Sequence, residues 1–209
     1  MKLDKIKILV EGSDDLHSIR HLYIKKSNLD LVSSLKEFGG IDELLRTLPV
    51  YLKSGELELI AIIIDANSDI VSRWKEVSNI LVEFNIQIPE QPQAGGFIHA
   101  GDKKIGIWVM PDNNRQGYLD DFLLTLIPED DELHKIANQT IKEIISKGFR
   151  KFKEQYESKA ILRTWLAWQD VPGHPYGLSI KRNFYDLDKL ECNQFIAWLN
   201  NLLGLHKLE

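Results

Sequence analysis

Two short apolar runs in this chain end abruptly in acid. Ile8, Leu9 and Val10 lead into Glu11, Gly12, Ser13, Asp14 and Asp15, and the run from Leu59 to Ile64 leads into Asp65, Ala66, Asn67, Ser68 and Asp69. A carboxylate at the C-terminal tip of a buried strand, followed by a turn into a helix, sits where open α/β sheets usually place their ligands. Glu11 and Asp65 are the best placed. Asp15 and Asp69 each follow four residues later, one turn into the next helix, where the side chain can face back toward the strand end. Asp112 and Asp120 follow a third apolar run, Ile105 to Met110, and could complete the rim. A hard cation such as Mg²⁺ (or Mn²⁺) takes oxygen ligands and keeps several waters, so a few carboxylates from neighbouring strand ends suffice. Such a cluster fits hydrolysis or transfer at phosphorus, where the metal activates the nucleophile and screens developing charge. The competing role for any one strand-end acid is a helix cap. An in-line displacement also needs a positive group near the leaving oxygen. Lys181 and Arg182 are the substrate-binding candidates, with plain surface placement as their competing reading, whereas Arg73 reads as packing its stem on a helix.

Alternating strand and helix signals must position these acids. The pattern predicts strands over Lys7 to Val10, Leu31 to Phe38 and Leu59 to Ile64, the last buried on both faces because its run is unbroken and mostly β-branched. Helices are expected from Ser13 or Asp14 to about Lys26, Ile41 to Lys53, and Ile70 to Phe84. Ile88 to Gly96, rich in Pro, Gln and Gly, reads as a loop. Phe97 to Ala100 and Ile105 to Met110 read as a hairpin pair around Gly101 and Asp102. A short helix over Leu119 to Ile127 follows. After Pro128 the pattern turns helical from about Asp131 to Gln169, broken near Gly148 at most, with another helix from about Asn193 to Leu203. The expectation is an α/β fold with a mainly parallel sheet flanked by helices over residues 1–128, and a helical C-terminal extension over 129–209 packed on it. Trp165 and Trp168 read as a helix face docked on the sheet. The terminal Leu208 and Glu209 resemble a tag junction.

Composition narrows the classes. With 209 residues, 44% hydrophobic and 27% charged, the chain reads as a globular protein with a sizeable core. Apolar runs of about six residues fall far short of the roughly 18 needed to span a bilayer, so no membrane association is expected. The first of them is too short for a signal peptide. A single cysteine, Cys192, rules out an internal disulfide framework and fits a reducing cytoplasm. The net charge of −5 argues against a wholly basic nucleic-acid platform. Cations nonetheless concentrate between Lys142 and Arg163, either as a phosphate-tracking face or as a solvated helix face. His17 and His21 have ligand spacing but lack the glutamate of a His-Glu-x-x-His motif. No P-loop and no Gly-x-Gly-x-x-Gly turn is present.

The stretch Val10 to Asp15 resembles the glutamate motif of Toprim domains, and Asp65-Ala66-Asn67 falls where those domains carry Asp-x-Asp. Further blocks at Asp65 to Trp74, Trp108 to Asn113, Gly117 to Phe122, Trp165 to Gln169 and Pro172-Gly173 are similar to a small Toprim-like family related to the overcoming-lysogenization-defect nucleases. The resemblance covers nearly the whole chain. It implies Mg²⁺-dependent phosphodiester cleavage of nucleic acid (DNA or RNA) in the cytoplasm, in a defence system with a partner ATPase. Glu11 and Asp65 would be catalytic, and Glu11, Asp15, Asp65, Asn67, Asp69 and Asp120 would form the metal set. Asn67 replaces the second aspartate of the motif, and an amide oxygen brings no charge. The alternative is therefore a non-catalytic Toprim-like regulatory or interaction module working with that ATPase. A homo-oligomer fits either reading.

Overall fold

The computed structural model describes residues 2–205; the Leu208–Glu209 junction lies outside them. Five strands form one sheet: β1 (Ile6–Val10), β2 (Leu35–Glu37), β3 (Leu59–Asp65), β4 (Phe97–Ala100) and β5 (Lys104–Met110). Their order is β2-β1-β3-β5-β4, parallel throughout except for β4, which pairs antiparallel with β5 at the edge. The fold is thus α/β with a mostly parallel sheet flanked by helices. The helices are α1 (Ser13–Ser27), α2 (Ile41–Lys53), α3 (Ile70–Glu83), α4 (Leu119–Thr125), α5 (Glu132–Ser146), α6 (Glu157–Ala167), α7 (Tyr176–Lys181) and α8 (Leu190–Leu203).

Strand alternation divides the interior into two layers. Leu9, Ile60, Ile62, Ile64, Ile105, Ile107 and Val109 face α2 and α3, meeting Leu44, Leu48, Trp74 and Val77. Ile8, Val10, Ala61, Ile63, Trp108 and Met110 face the other way and share one continuous core with α1, α4 and the helices after Pro128. Central β3 is buried on both sides, which is why its sequence shows no alternation. The C-terminal helices approach closely. A Cβ on Gly106 of β5 would lie 2.3 Å from Leu202 of α8, and one on Gly177 of α7 would lie 2.8 Å from the His17 backbone oxygen of α1. Trp108 meets Phe195 edge to face and Trp198 at a tilt, with ring centres 5.3 and 5.5 Å apart.

The structure revises three expectations about elements. The strand expected over Leu31 to Phe38 shortens to Leu35–Glu37, because Asp30 accepts the Val32 N–H and the Ser34 N–H bonds back to Leu31, closing a turn instead. The long C-terminal helix stops at Ser146. The N–H groups of Gly148 and Phe149 bond back to Ile145 and Ile144, with Gly148 at φ 73°, and so end α5 in a Schellman motif. Irregular backbone then runs to a short 3₁₀ turn at Glu154–Tyr156 before α6. Helix α7 has no counterpart among the elements expected from the sequence. Trp165 is buried as anticipated, while Trp168 is 40% exposed.

Candidate active site

Parallel pairing sets Val10 beside Ile63 and Asp65 beside Met110, so the acids after β1 and β3 emerge at the same end of the sheet. Glu11 Oε1 accepts the backbone N–H of Asp65 at 2.8 Å. Asp65 Oδ1 in turn accepts the backbone N–H of Leu119, the first residue of α4, at 2.9 Å. Asp15, in the first turn of α1, reaches back to accept the Gly12 N–H at 3.1 Å. Each of the three carboxylates thus has one oxygen anchored on backbone. Among the described residues, the buried side-chain polar atoms lacking any partner are Ser18 Oγ, Arg73 Nε, Trp108 Nε1 and Asn113 Nδ2, and no carboxylate oxygen is among them.

Charge links the three carboxylates, from Glu11 to Asp15 and from both to Asp65. Burial pushes the Asp65 carboxyl well above its usual range, and the charges of Asp15 and Glu11 push it further. Burial, then the charge of Glu11, raises Asp15 to about 7, despite its place at a helix N-terminus. Glu11 also titrates high through burial, opposed by the Asp65 N–H and by the charge of Arg73. Like charges held together out of water disfavour ionisation, and a divalent cation is the ordinary remedy. Glu11 and Asn67 also line an open cleft of about 490 Å³, walled by Gly39, Gly40 and Asp42 at the start of α2 and by Arg46.

Asp120 joins the cluster by charge, since it raises Asp65, but its carboxylate is already engaged. Its Oδ1 accepts the Tyr176 hydroxyl of α7, and its Oδ2 lies 3.7 Å from Lys159 Nζ of α6. Arg163 Nε donates to the same Tyr176 oxygen at 3.0 Å, its guanidinium lies 4.6 Å over the Tyr176 ring, and Nη2 pairs with Asp14 at 2.8 Å. Burial raises Asp120, and the Tyr176 hydrogen bond and Lys159 oppose this. The sequence reading missed Tyr176 and Arg163 as site residues and took Lys159 only as part of a basic stretch. Only an aromatic or basic residue with no local role hinted at them.

Other expected residues lie elsewhere or serve otherwise. Asp69 is exposed and caps α3, accepting the N–H groups of Val71 and Ser72 at 3.0 Å and the Ser72 hydroxyl at 2.7 Å, bonds that hold its carboxyl below the usual range. In this structure it acts as a helix cap. Lys181 and Arg182 are exposed at the C-terminal end of α7, where Arg182 pairs with Asp170 at 3.3 Å. Among the described residues the cations that bear on the acids are instead Lys159, Arg163 and Arg73. The Arg73 side chain is 11% exposed, held by Glu76 at 2.5 Å, so it is more enclosed than a stem lying on a helix. Asp112 is tied to Arg115 at 2.8 Å.

Asn67 has a backbone reason for its identity. It adopts φ 56°, a left-handed conformation that Asn tolerates better than most residues. It exchanges two backbone hydrogen bonds with Gly117, at 2.9 and 2.8 Å. This bridge clips the end of β3 to the segment before α4, which aligns the Leu119 N–H with Asp65.

Glu11, Asp15 and Asp65 each keep one carboxylate oxygen that is not anchored on backbone, a donor type that a hard cation such as Mg²⁺ takes. Among the described residues, however, no group of three or more His, Cys, Asp or Glu side chains forms a ready metal cage. Cys192 is buried and its thiol is pushed up to about 11, which removes it from nucleophilic chemistry. No helix among the described residues is long and apolar enough to cross a membrane.

A family model described as "Protein of unknown function (DUF3226)" matches residues 5–204. No curated protein and no solved structure matches the chain.

Proposed function

The chain belongs to the family of unknown function DUF3226, and from that starting point we propose that it cleaves phosphodiester bonds in nucleic acid with the help of Mg²⁺. The observation that carries this reading is the trio of Glu11, Asp15 and Asp65, anchored by backbone N–H groups at the C-terminal end of a parallel sheet and each raised by burial, with the charge of Glu11 adding at Asp15 and the charges of both adding at Asp65. The resemblance of the Glu11 and Asp65 motifs to Toprim domains supports it.

Asp65 and Asp15 are the residues that would hold the cation, together with Glu11. The cation would supply Lewis acidity and offset negative charge at phosphorus. Glu11, whose half-buried carboxyl titrates high while one oxygen is fixed by the Asp65 N–H, is suited to move a proton to or from an oxygen of the phosphodiester. Asp120 acts from behind, its orientation fixed by Tyr176 and its charge partly offset by Lys159. Lys159 and Arg163, about half exposed at the rim, meet the substrate's phosphates.

A second reading follows from the same bonds. Three of the acids already serve to stitch backbone, and no ready cage exists among the described residues, which favours a non-catalytic module that passes signals to or from a partner ATPase. A nuclease assay with Mg²⁺ or Mn²⁺ on plasmid, single-stranded DNA and tRNA separates the two. Cleavage lost in Glu11→Gln supports the enzyme. Cleavage that persists in that variant removes Glu11 from the mechanism, and no cleavage by the wild type supports the module.

A further inference from the structure

The segment from Lys147 to Arg163 carries six cations against two acids in a chain of net charge −5. Its first part, between α5 and α6, is irregular, and there Phe149 is 66% exposed. Phe149 occupies the position after the Schellman glycine, where an apolar side chain usually packs back on its own helix. Here it faces water instead. Lys151 and Lys153 beside it are exposed and make no ion pair among the described residues, and Arg150 has only a loose partner, Glu154, at 3.9 Å.

Aromatic and basic groups continue from this loop to the acids. Tyr156 is 37% exposed, Lys159 Nζ lies 5.8 Å from its ring centre, and the ring sits 6.2 Å from that of Tyr118. Tyr118 immediately precedes Leu119, whose N–H holds Asp65, and Lys159 is the cation beside Asp120. Phe149 and the cations of the loop thus lead along the chain into Tyr156 and Lys159, which stand beside the acidic cluster, and this succession of residues is a path toward it.

We propose that this path binds single-stranded nucleic acid and leads its backbone to the acids. The proposal rests on the phosphodiester reading above and names the form of its substrate. Exposed rings interleaved with cations suit a strand whose bases are free to stack, whereas a duplex hides its base faces and would use the cations alone.

The test is fluorescence anisotropy with labelled single-stranded DNA, the same sequence as RNA, and a DNA duplex. It uses the full chain carrying Glu11→Gln, so that binding is read without cleavage. Single strands are expected to bind more tightly than duplex. Phe149→Ala should weaken them roughly tenfold or more without a matching loss for duplex. Lys151→Glu with Lys153→Glu should also weaken binding and flatten its salt dependence, by about 0.7 in log–log slope for each phosphate no longer neutralised. These positions are exposed, so the fold is not at stake. Duplex binding as tight as single-strand binding, or affinities unmoved by the loop substitutions, would overturn the proposal. The DNA and RNA arms tell which strand is preferred. Loop-dependent binding with no cleavage by the wild type removes the phosphodiester reading and leaves the path standing; cleavage with loop-independent binding does the reverse.

Discussion

The backbone N–H of Asp65 donates to Oε1 of Glu11 at 2.8 Å, across 54 residues of sequence. The bond fixes one carboxylate at the root of the next and makes the ends of β1 and β3 a single unit. It also gives Glu11 a structural role beside the proposed chemical one. Glu11→Gln keeps an oxygen able to accept that N–H and removes the ionisable group. We expect it to stay folded, with an unfolding midpoint close to wild type, and to lose about 10²-fold or more in cleavage rate. Circular dichroism and single-turnover assays on the same preparation check both halves.

Stability should fall as pH rises. Asp15, Asp65, Glu11 and Asp120 all titrate above their ordinary values in the fold, so between about pH 4 and 7 the folded chain holds more protons than the unfolded one. That sign is the reverse of an ion-paired carboxylate. Without metal, the chain should therefore unfold more easily at about pH 8 than at about pH 5, as far as these groups decide it. Asp15→Asn should shrink the difference, and Mg²⁺ should stabilise more at the higher pH. Thermal unfolding at the two pH values, with and without Mg²⁺, is the measurement.

Tyr176→Phe should destabilise the chain by about 1–3 kcal/mol, because it deprives both the buried Asp120 oxygen and Arg163 Nε of a partner. Asp120→Asn in the same chain should cost less than the sum of the two single changes, since the pair acts together. Urea titrations of the two single variants and the double variant test this.

Asp69→Ala should cost about 1 kcal/mol through the lost cap of α3 and leave cleavage intact. A loss of activity comparable to that of an Asp65 variant would return Asp69 to the metal set.

How much of this was legible in the sequence depended on how local each signal was. The unbroken Leu59–Ile64 run announced a strand buried on both faces, and α2 runs over Ile41–Lys53 as its periodicity required. The Glu11 and Asp65 positions followed from strand ends alone. Asp69 was open to two readings because a cap and a ligand share one residue type and one spacing, and the bonds to Val71 and Ser72 show the cap. Tyr176 could not be found. It follows a Pro-Gly-His-Pro turn that hid α7, and its partner Asp120 is 56 residues away, so the pair exists only once α7 packs on α1 and brings the Tyr176 hydroxyl to α4. Gly148 marked the end of α5, but nothing in the residues beyond it fixed the length of irregular chain before α6.

In the proposed function Glu11, Asp15 and Asp65 together form one cation site serving phosphodiester cleavage. Anomalous scattering from crystals soaked in Mn²⁺ tests it most directly. The expected result is a peak bounded by these three carboxylates that disappears in Asp65→Asn. Crystals with no peak there, and with Glu11 and Asp65 still bonded to the N–H groups of Asp65 and Leu119, would contradict it.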